Sequence, residues 1–249
     1  MYSVHRLLHS LLWIWIHLLQ CNVSNQYKSS DEDTINRPWR PIPSGHISST
    51  DAGLLRITLI PICLCVSSFH GLDVVLTSAG LTMTMIVYDE LNLAGHWIGK
   101  NVCNVSGYLT FEIGATKVMG MISSTQLCRY LTPRNTTGQT TELDQLALRA
   151  MEFSAGVILT TIHAQDFSDI AGDVELGRIT FPIYAPAFSR IFTLFAMVAW
   201  SFVLGTYWSL GPVTLSAFCC LGMFVGWRYY SLRGSQEDSL SYLLFNVSR

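Results

Sequence analysis

The chain has 249 residues, half of them hydrophobic and 13% charged, with a formal charge of −2. Such a composition favours the bilayer over water as its solvent, and the lack of any basic run sets nucleic-acid binding aside. Cysteines at 21, 63, 65, 103, 128, 219 and 220 sit mostly inside apolar blocks without a CxxC pair, which argues against a zinc site or disulfide framework and for small packing groups.

In the first apolar block, 5–24, Arg6 precedes the run Leu7 to Leu19 but no small-residue cleavage site follows, so the block reads as a spanning helix and not as a signal peptide. A polar loop over 25–51 comes next, then spans at 52–68 and 71–88, the second ending in Tyr88-Asp89-Glu90. The span 100–124 carries Glu112 and Lys117, for which a place on a cavity wall and a mutual pairing stand as equal alternatives. After a Thr-rich connection over 128–141, the span 144–164 opens with Arg149 and Glu152 at i, i+3, a structural pair near the interface. A second residue-specific loop, 166–185, leads to spans at 186–206 and 211–230. No charge occurs from Ile191 to Trp227, a stretch too long for one crossing, and Gly211-Pro212 breaks it. The predicted fold is therefore all-α: a polytopic transmembrane helix bundle of about seven spans, forming one domain over 1–249.

Crossing parity puts the loops 25–51, 89–99 and 166–185 and the C-terminal tail on one side. Lys28, Arg37, Arg40, Arg56, Lys100, Arg178, Arg190, Arg228, Arg233 and Arg249 lie on or near it, against Arg6, Arg129, Arg134 and Arg149 opposite, which makes the motif side cytosolic. Of the glycosylation sequons at Asn22, Asn104, Asn135 and Asn246, only Asn135 then faces the far side.

The sharpest local signal is Asp166-Phe-Ser-Asp169-Ile-Ala-Gly-Asp173. On a helix, carboxylates at i, i+3 and i+7 fall within about 60° of one another. Three crowded negative charges at a membrane boundary call for a cation, and oxygen-only ligands suit Mg²⁺, which shares its shell readily with phosphate oxygens. A magnesium-bridged diphosphate is the natural ligand. Gly172 and Gly177 permit close backbone approach, Arg178 presents a fork to phosphate, and Pro182 closes the segment. In the first loop, a helix continuing to Asp33 puts Asn25, Ser29, Glu32 and Asp33 on one oxygen-rich face. Pro38 then stops it, with Arg37 and Arg40 in a stiff turn where they can hold a leaving diphosphate.

These loops resemble those of the UbiA-type intramembrane prenyltransferases. Arg37-Pro38-Trp39-Arg40-Pro41-Ile42-Pro43-Ser44-Gly45 is similar to that family's first-motif turn. Asp166, Asp169, Asp173, Gly177, Arg178, Thr180, Pro182 and Ile183 are similar to its second aspartate motif over its whole length. The resemblance implies a helical bundle with a cavity open towards lipid and Mg²⁺ held by the motif loops (25–50 and 165–185). It also implies ionisation of an isoprenyl diphosphate and transfer of the prenyl cation to an acceptor whose identity the residues do not reveal. On this reading Asp166, Asp169, Asp173 and Asp33 are catalytic, with Asn25 and Glu32 joining them as metal ligands. Asn25, Arg37, Arg40 and Arg178 bind the substrate, and Asp89 matches a polar cluster that approaches the diphosphate in the family. The endoplasmic reticulum is one membrane compatible with it.

Two departures from the family pattern stand out. Gln26 and Ser29 occupy positions where the usual first motif has aspartates, which keeps two alternatives open: a UbiA-type terpene cyclase acting on farnesyl diphosphate, and an inactive paralogue. The family commonly has nine spans, so the resemblance also implies one flanking span missing at each end.

Overall fold

The computed structural model describes residues 4–91, 93–120 and 142–248. The expected glycosylation site Asn135 lies outside them. Among the described residues the long helices that overlap expected spans are α1 (Val4–Lys28), α3 (Ser49–Ser68), α4 (Leu72–Glu90), α5 (Trp97–Val118), α6 (Glu142–Thr161), α9 (Pro186–Tyr207) and α10 (Pro212–Ser231). Shorter helices fill the polar connections: α2 (Ser30–Asn36), α7 (Ile170–Glu175), α8 (Phe181–Tyr184) and α11 (Ser235–Ser248), together with 3-10 turns at Leu93–Gly95 and Ile162–Phe167. Among the described residues there is no strand, only an isolated bridge between His96 and Ile179. By length and apolarity, α1, α3, α4 and α9 each suffice to cross a membrane.

The packing inverts the usual soluble pattern. The buried positions of α1 are Ser10, Trp13, His17, Gln20 and Ser24, a strict 3-4 repeat of mostly polar residues, while Leu8, Leu12 and Trp15 are exposed. On α9 the buried stripe is Ser189, Thr193, Met197, Ser201 and Gly205, every fourth residue, beside Arg190. Polar or small groups inside and large apolar groups outside are what a lipid solvent selects: helices gain little by hiding leucine from hydrocarbon, but much by close approach and interhelical hydrogen bonds. The chain is thus an integral membrane protein, all-helical in its described part.

The described residues fall into two compact units, Met1–Leu93 with Cys103–Ala155, and Ala94–Val102 with Gly156–Arg249. In the first, α1 is joined to its neighbours by Trp13 Nε1 donating to Ser67 Oγ (2.9 Å), His17 Nε2 against Ser78 Oγ (2.7 Å) and Gln20 Nε2 donating to Thr82 Oγ1 (3.1 Å). Such bonds contribute about 0.6 kcal/mol each on average within membranes. Trp13 also packs with Val74 and Val118 and meets the Phe111 ring edge-on at 6.2 Å.

In the second unit α9 and α10 lie together through glycines. A Cβ at Gly226 would come within 2.9 Å of the Leu194 Cα, a backbone atom that cannot swing aside. Gly226→Ala is therefore expected to destabilise the protein by about 1–3 kcal/mol, read as loss of thermal stability in micelles. Gly80→Ala, where the added methyl meets nothing within 4 Å, should show no such loss.

Candidate functional site

The first loop nearly follows its expected course. α1 ends at Lys28, and the chain resumes as α2 after a one-residue break, because the Ser29 hydroxyl folds back to donate to the Asn25 carbonyl at 2.7 Å. α2 stops at Asn36, before Pro38, and within it Glu32 and Asp33 are buried. Arg40 Nη1 contacts both Asp33 carboxylate oxygens at 2.7 and 2.8 Å, so the turn that follows α2 places this arginine back on the helix. Burial pushes the Asp33 carboxyl above its ordinary range, against the opposing pull of Arg40. Arg37 is half-buried at the C-terminal end of α2, where its backbone N–H donates to the Asp33 carbonyl at 2.8 Å.

Asn25 and Asp89 line one cavity of about 540 Å³, open on one side, whose walls come from α1, α4 and α5. Its walls are mainly apolar, with Leu18, Leu81, Met85 and Phe111 among them, and Glu112 faces it as well. Glu112 lines this cavity and accepts a hydrogen bond from the Ser154 hydroxyl, in keeping with the cavity-wall alternative. The Arg149–Glu152 pair forms as expected, at 2.7 Å and exposed. Beside the cavity Asp89 Oδ2 accepts from Ser24 Oγ at 2.5 Å and lies 3.5 Å from Arg56 Nη2. Arg56 and Lys28 also reach Glu90, at 2.9 and 2.8 Å.

The second loop departs from the expected single helix. Asp166 sits in a 3-10 turn, Asp169 caps α7, and Asp173 lies inside α7. The tighter turn changes the angular spacing, yet all three carboxylates are buried. A Schellman motif closes α7: Gly177 adopts φ +66°, the Arg178 N–H donates to the Asp173 carbonyl at 2.8 Å, and the Gly177 N–H to Val174 at 3.1 Å. That left-handed step brings the Arg178 guanidinium within 3.4 Å of the Asp173 carboxylate. Asp169 accepts from the Ser168 hydroxyl at 3.1 Å.

Lys100 completes this cluster. Backbone bonds from Trp97 N–H to Ile179 O and from Ile179 N–H to Gly95 O, both 2.9 Å, tie the start of α5 to the loop, with the Trp97 and Phe181 rings 5.1 Å apart. The buried Lys100 ammonium thereby lies 2.6 Å from Asp166 Oδ1. The other oxygen, Oδ2, is buried and accepts no hydrogen bond from the described residues. Burial holds the Asp166 carboxyl up at about 6, in spite of Lys100 and with Asp173 and Asp169 pushing the same way.

Among the described residues no three of His, Cys, Asp and Glu gather closely enough to share a metal ion. The fit to a divalent cation lies in the donor chemistry: a buried, oxygen-only set whose innermost carboxylate is short of positive charge. The structure thus brings Asp33 to Arg40, places Asn25 and Asp89 on one cavity, and brings Asp166 and Asp173 to Lys100 and Arg178. Sequence reasoning missed Lys100, Arg56 and Ser24 as members of these networks. The signal for Lys100 was present, a lysine in the first turn of a predicted membrane span.

A family model described as the UbiA prenyltransferase family matches residues 2–248. Among curated proteins the chain is similar to the fumagillin beta-trans-bergamotene synthase of Aspergillus fumigatus, at 27% identity over 96% of this chain and 76% of that one. It is also similar to two proteins of Hericium erinaceus, polyprenyl transferase eriF (28%, 97% and 77%) and diterpene cyclase eriG (29%, 97% and 72%). Among solved structures, a UbiA homolog from Archaeoglobus fulgidus bound to GPP and Mg²⁺ superposes with a TM-score of 0.62 at 12% identity, over 99% of this chain and 86% of that one.

Proposed function

The chain belongs to the UbiA prenyltransferase family, and from that premise we propose that it is a membrane enzyme that ionises an isoprenyl diphosphate with Mg²⁺ and transfers the prenyl group to an acceptor. The observation that carries the magnesium reading is Asp166, fully buried, with one oxygen on Lys100 and the other accepting no hydrogen bond. Asp166, Asp169, Asp173, Asn25, Glu32 and Asp33 would hold the metal, whose positive charge offsets the charge that grows on the leaving diphosphate. Arg37, Arg40 and Arg178 bind the diphosphate oxygens, and Lys100 positions Asp166. Asp89, held by Ser24 and Arg56, orients substrate at the cavity wall. The apolar cavity excludes water from the cation, so that capture by the acceptor outruns hydrolysis.

A second reading, internal quenching of the cation by cyclisation, is favoured by one feature. Gln26 and Ser29 stand where the usual first motif carries aspartates, and the similar proteins bear both transferase and cyclase names. Both readings share the ionisation step. Membranes containing the chain, incubated with farnesyl or geranylgeranyl diphosphate and Mg²⁺, separate them by product mass. A prenylated acceptor is the expected product, and a hydrocarbon formed without acceptor assigns a cyclase. No Mg²⁺-dependent diphosphate release with either substrate would end both readings.

The proposed orientation puts both motif loops in the cytosol, on the distribution of Lys and Arg. Glycan attachment at Asn135 alone agrees with it, and a glycan at Asn246 reverses it.

A further inference from the structure

The cavity of the first unit carries one carboxylate at Asp89, beside Asn25, and another at Glu112, on walls that are otherwise mainly apolar but include Thr84, Asn104 and Tyr108. On α5, Glu112 lies eight residues beyond Asn104, about 12 Å at the helical rise. Ionisable groups within a span are costly and are not accounted for by packing alone. Ser154 of α6 donates to the Glu112 carboxyl and braces it against the wall. Among the described residues the lining continues about a turn beyond Glu112, to the small side chain of Ala115. Between Asp89 and Glu112 a hydrocarbon tail meets mainly apolar walls, with the polar groups of Thr84, Asn104 and Tyr108 but no carboxyl among the described lining residues. A longer tail must lie against a carboxyl group and strip it of polar surroundings while offering no hydrogen bond in return, which is unfavourable.

We propose that Glu112, braced by Ser154, limits the length of prenyl chain the cavity accepts, acting as a polar stop where other pockets use a bulky one. The inference rests on the reading of the chain as a prenyl-diphosphate enzyme and adds a specificity-determining residue to it. A polar stop favours the shorter of two prenyl chains, so the farnesyl class is preferred over geranylgeranyl.

The test uses the full chain in lipid nanodiscs, with kcat/KM for geranyl, farnesyl and geranylgeranyl diphosphates and Kd for their non-ionising thiolodiphosphate analogues. Glu112→Leu should raise the geranylgeranyl-to-farnesyl ratio about tenfold or more, whereas Glu112→Gln, polar and of equal size, should keep the wild-type ratio. Ser154→Ala, which only releases the brace, should shift the ratio in the same direction by less, and serves if Glu112→Leu does not fold. An unchanged ratio in Glu112→Leu, or an equal shift in Glu112→Gln, overturns the polar stop while leaving the enzyme assignment intact. A wild-type chain that binds none of the analogues removes both.

Discussion

Asp166→Asn is expected to lower kcat/KM for the prenyl diphosphate by about 10²–10³, the scale seen when one charge-stabilising group is removed from a preorganised site. The side chain is fully buried, with the Lys100 ammonium 2.6 Å away to balance its charge. The asparagine would keep the shape and lose the charge. It would also leave the Lys100 ammonium buried beside a neutral amide, so some loss of thermal stability should accompany the loss of activity. The double variant Lys100→Met/Asp166→Asn separates the two effects: stability should recover while turnover does not. Recovery of both would mean that Asp166 serves only to neutralise Lys100.

The same carboxyl sets a pH dependence. Burial raises it from 3.8 to about 6 in the folded protein, so the folded state keeps this proton to higher pH than the unfolded chain does. The stabilisation that protonation supplies is full below the unfolded value and lost as pH rises through about 6. Magnesium needs the deprotonated form, so its apparent affinity should fall about tenfold for each pH unit below that point. Mg²⁺ titrations between pH 5 and 8, followed by thermal shift, measure this directly. In Asp166→Asn the inflection near 6 should vanish.

Removing the Asp238 carboxylate should produce the largest loss of stability. Arg190 grips both Asp238 oxygens at 2.9 Å, donates to the Tyr229 carbonyl at 2.5 Å, and lies 4.4 Å from the centre of the Phe167 ring. Both charged partners are buried. Asp238→Ala strands the guanidinium, at a cost of about 3–5 kcal/mol. For a chain of this length that is a fall of about 10 °C in Tm. Because Phe167 adjoins Asp166, turnover should fall too, even at temperatures where the variant remains folded. Replacing both partners, Arg190→Met with Asp238→Leu, should restore most of the stability, since no buried charge is then left alone. A single variant as stable as the wild type would show that this pair is not what holds α11 in place.

Helix positions were legible from the residues because lipid imposes a length and an apolarity that few other contexts demand. Predicted spans at 71–88 and 186–206 differ from α4 and α9 by at most two residues at either end. The break at Gly211-Pro212 was legible for the same reason: no single helix crosses a bilayer twice. The candidate site was legible in its residue types, since Asp166, Asp169, Asp173 and Arg178 carry their chemistry in the spacing itself. The partner of each carboxylate was not. Lys100 lies 66 positions from Asp166 in sequence and reaches it only because Trp97 and Ile179 share backbone hydrogen bonds. Arg190 meets Asp238 only because α9, α10 and α11 fold together. Local sequence thus determined which residues bear charge and which segments enter the membrane, because both follow from short-range pattern and solvent. Tertiary structure decided which charges neutralise one another and which face the cavity, because burial makes an unpaired charge intolerable but does not specify, along the chain, where its counter-ion comes from.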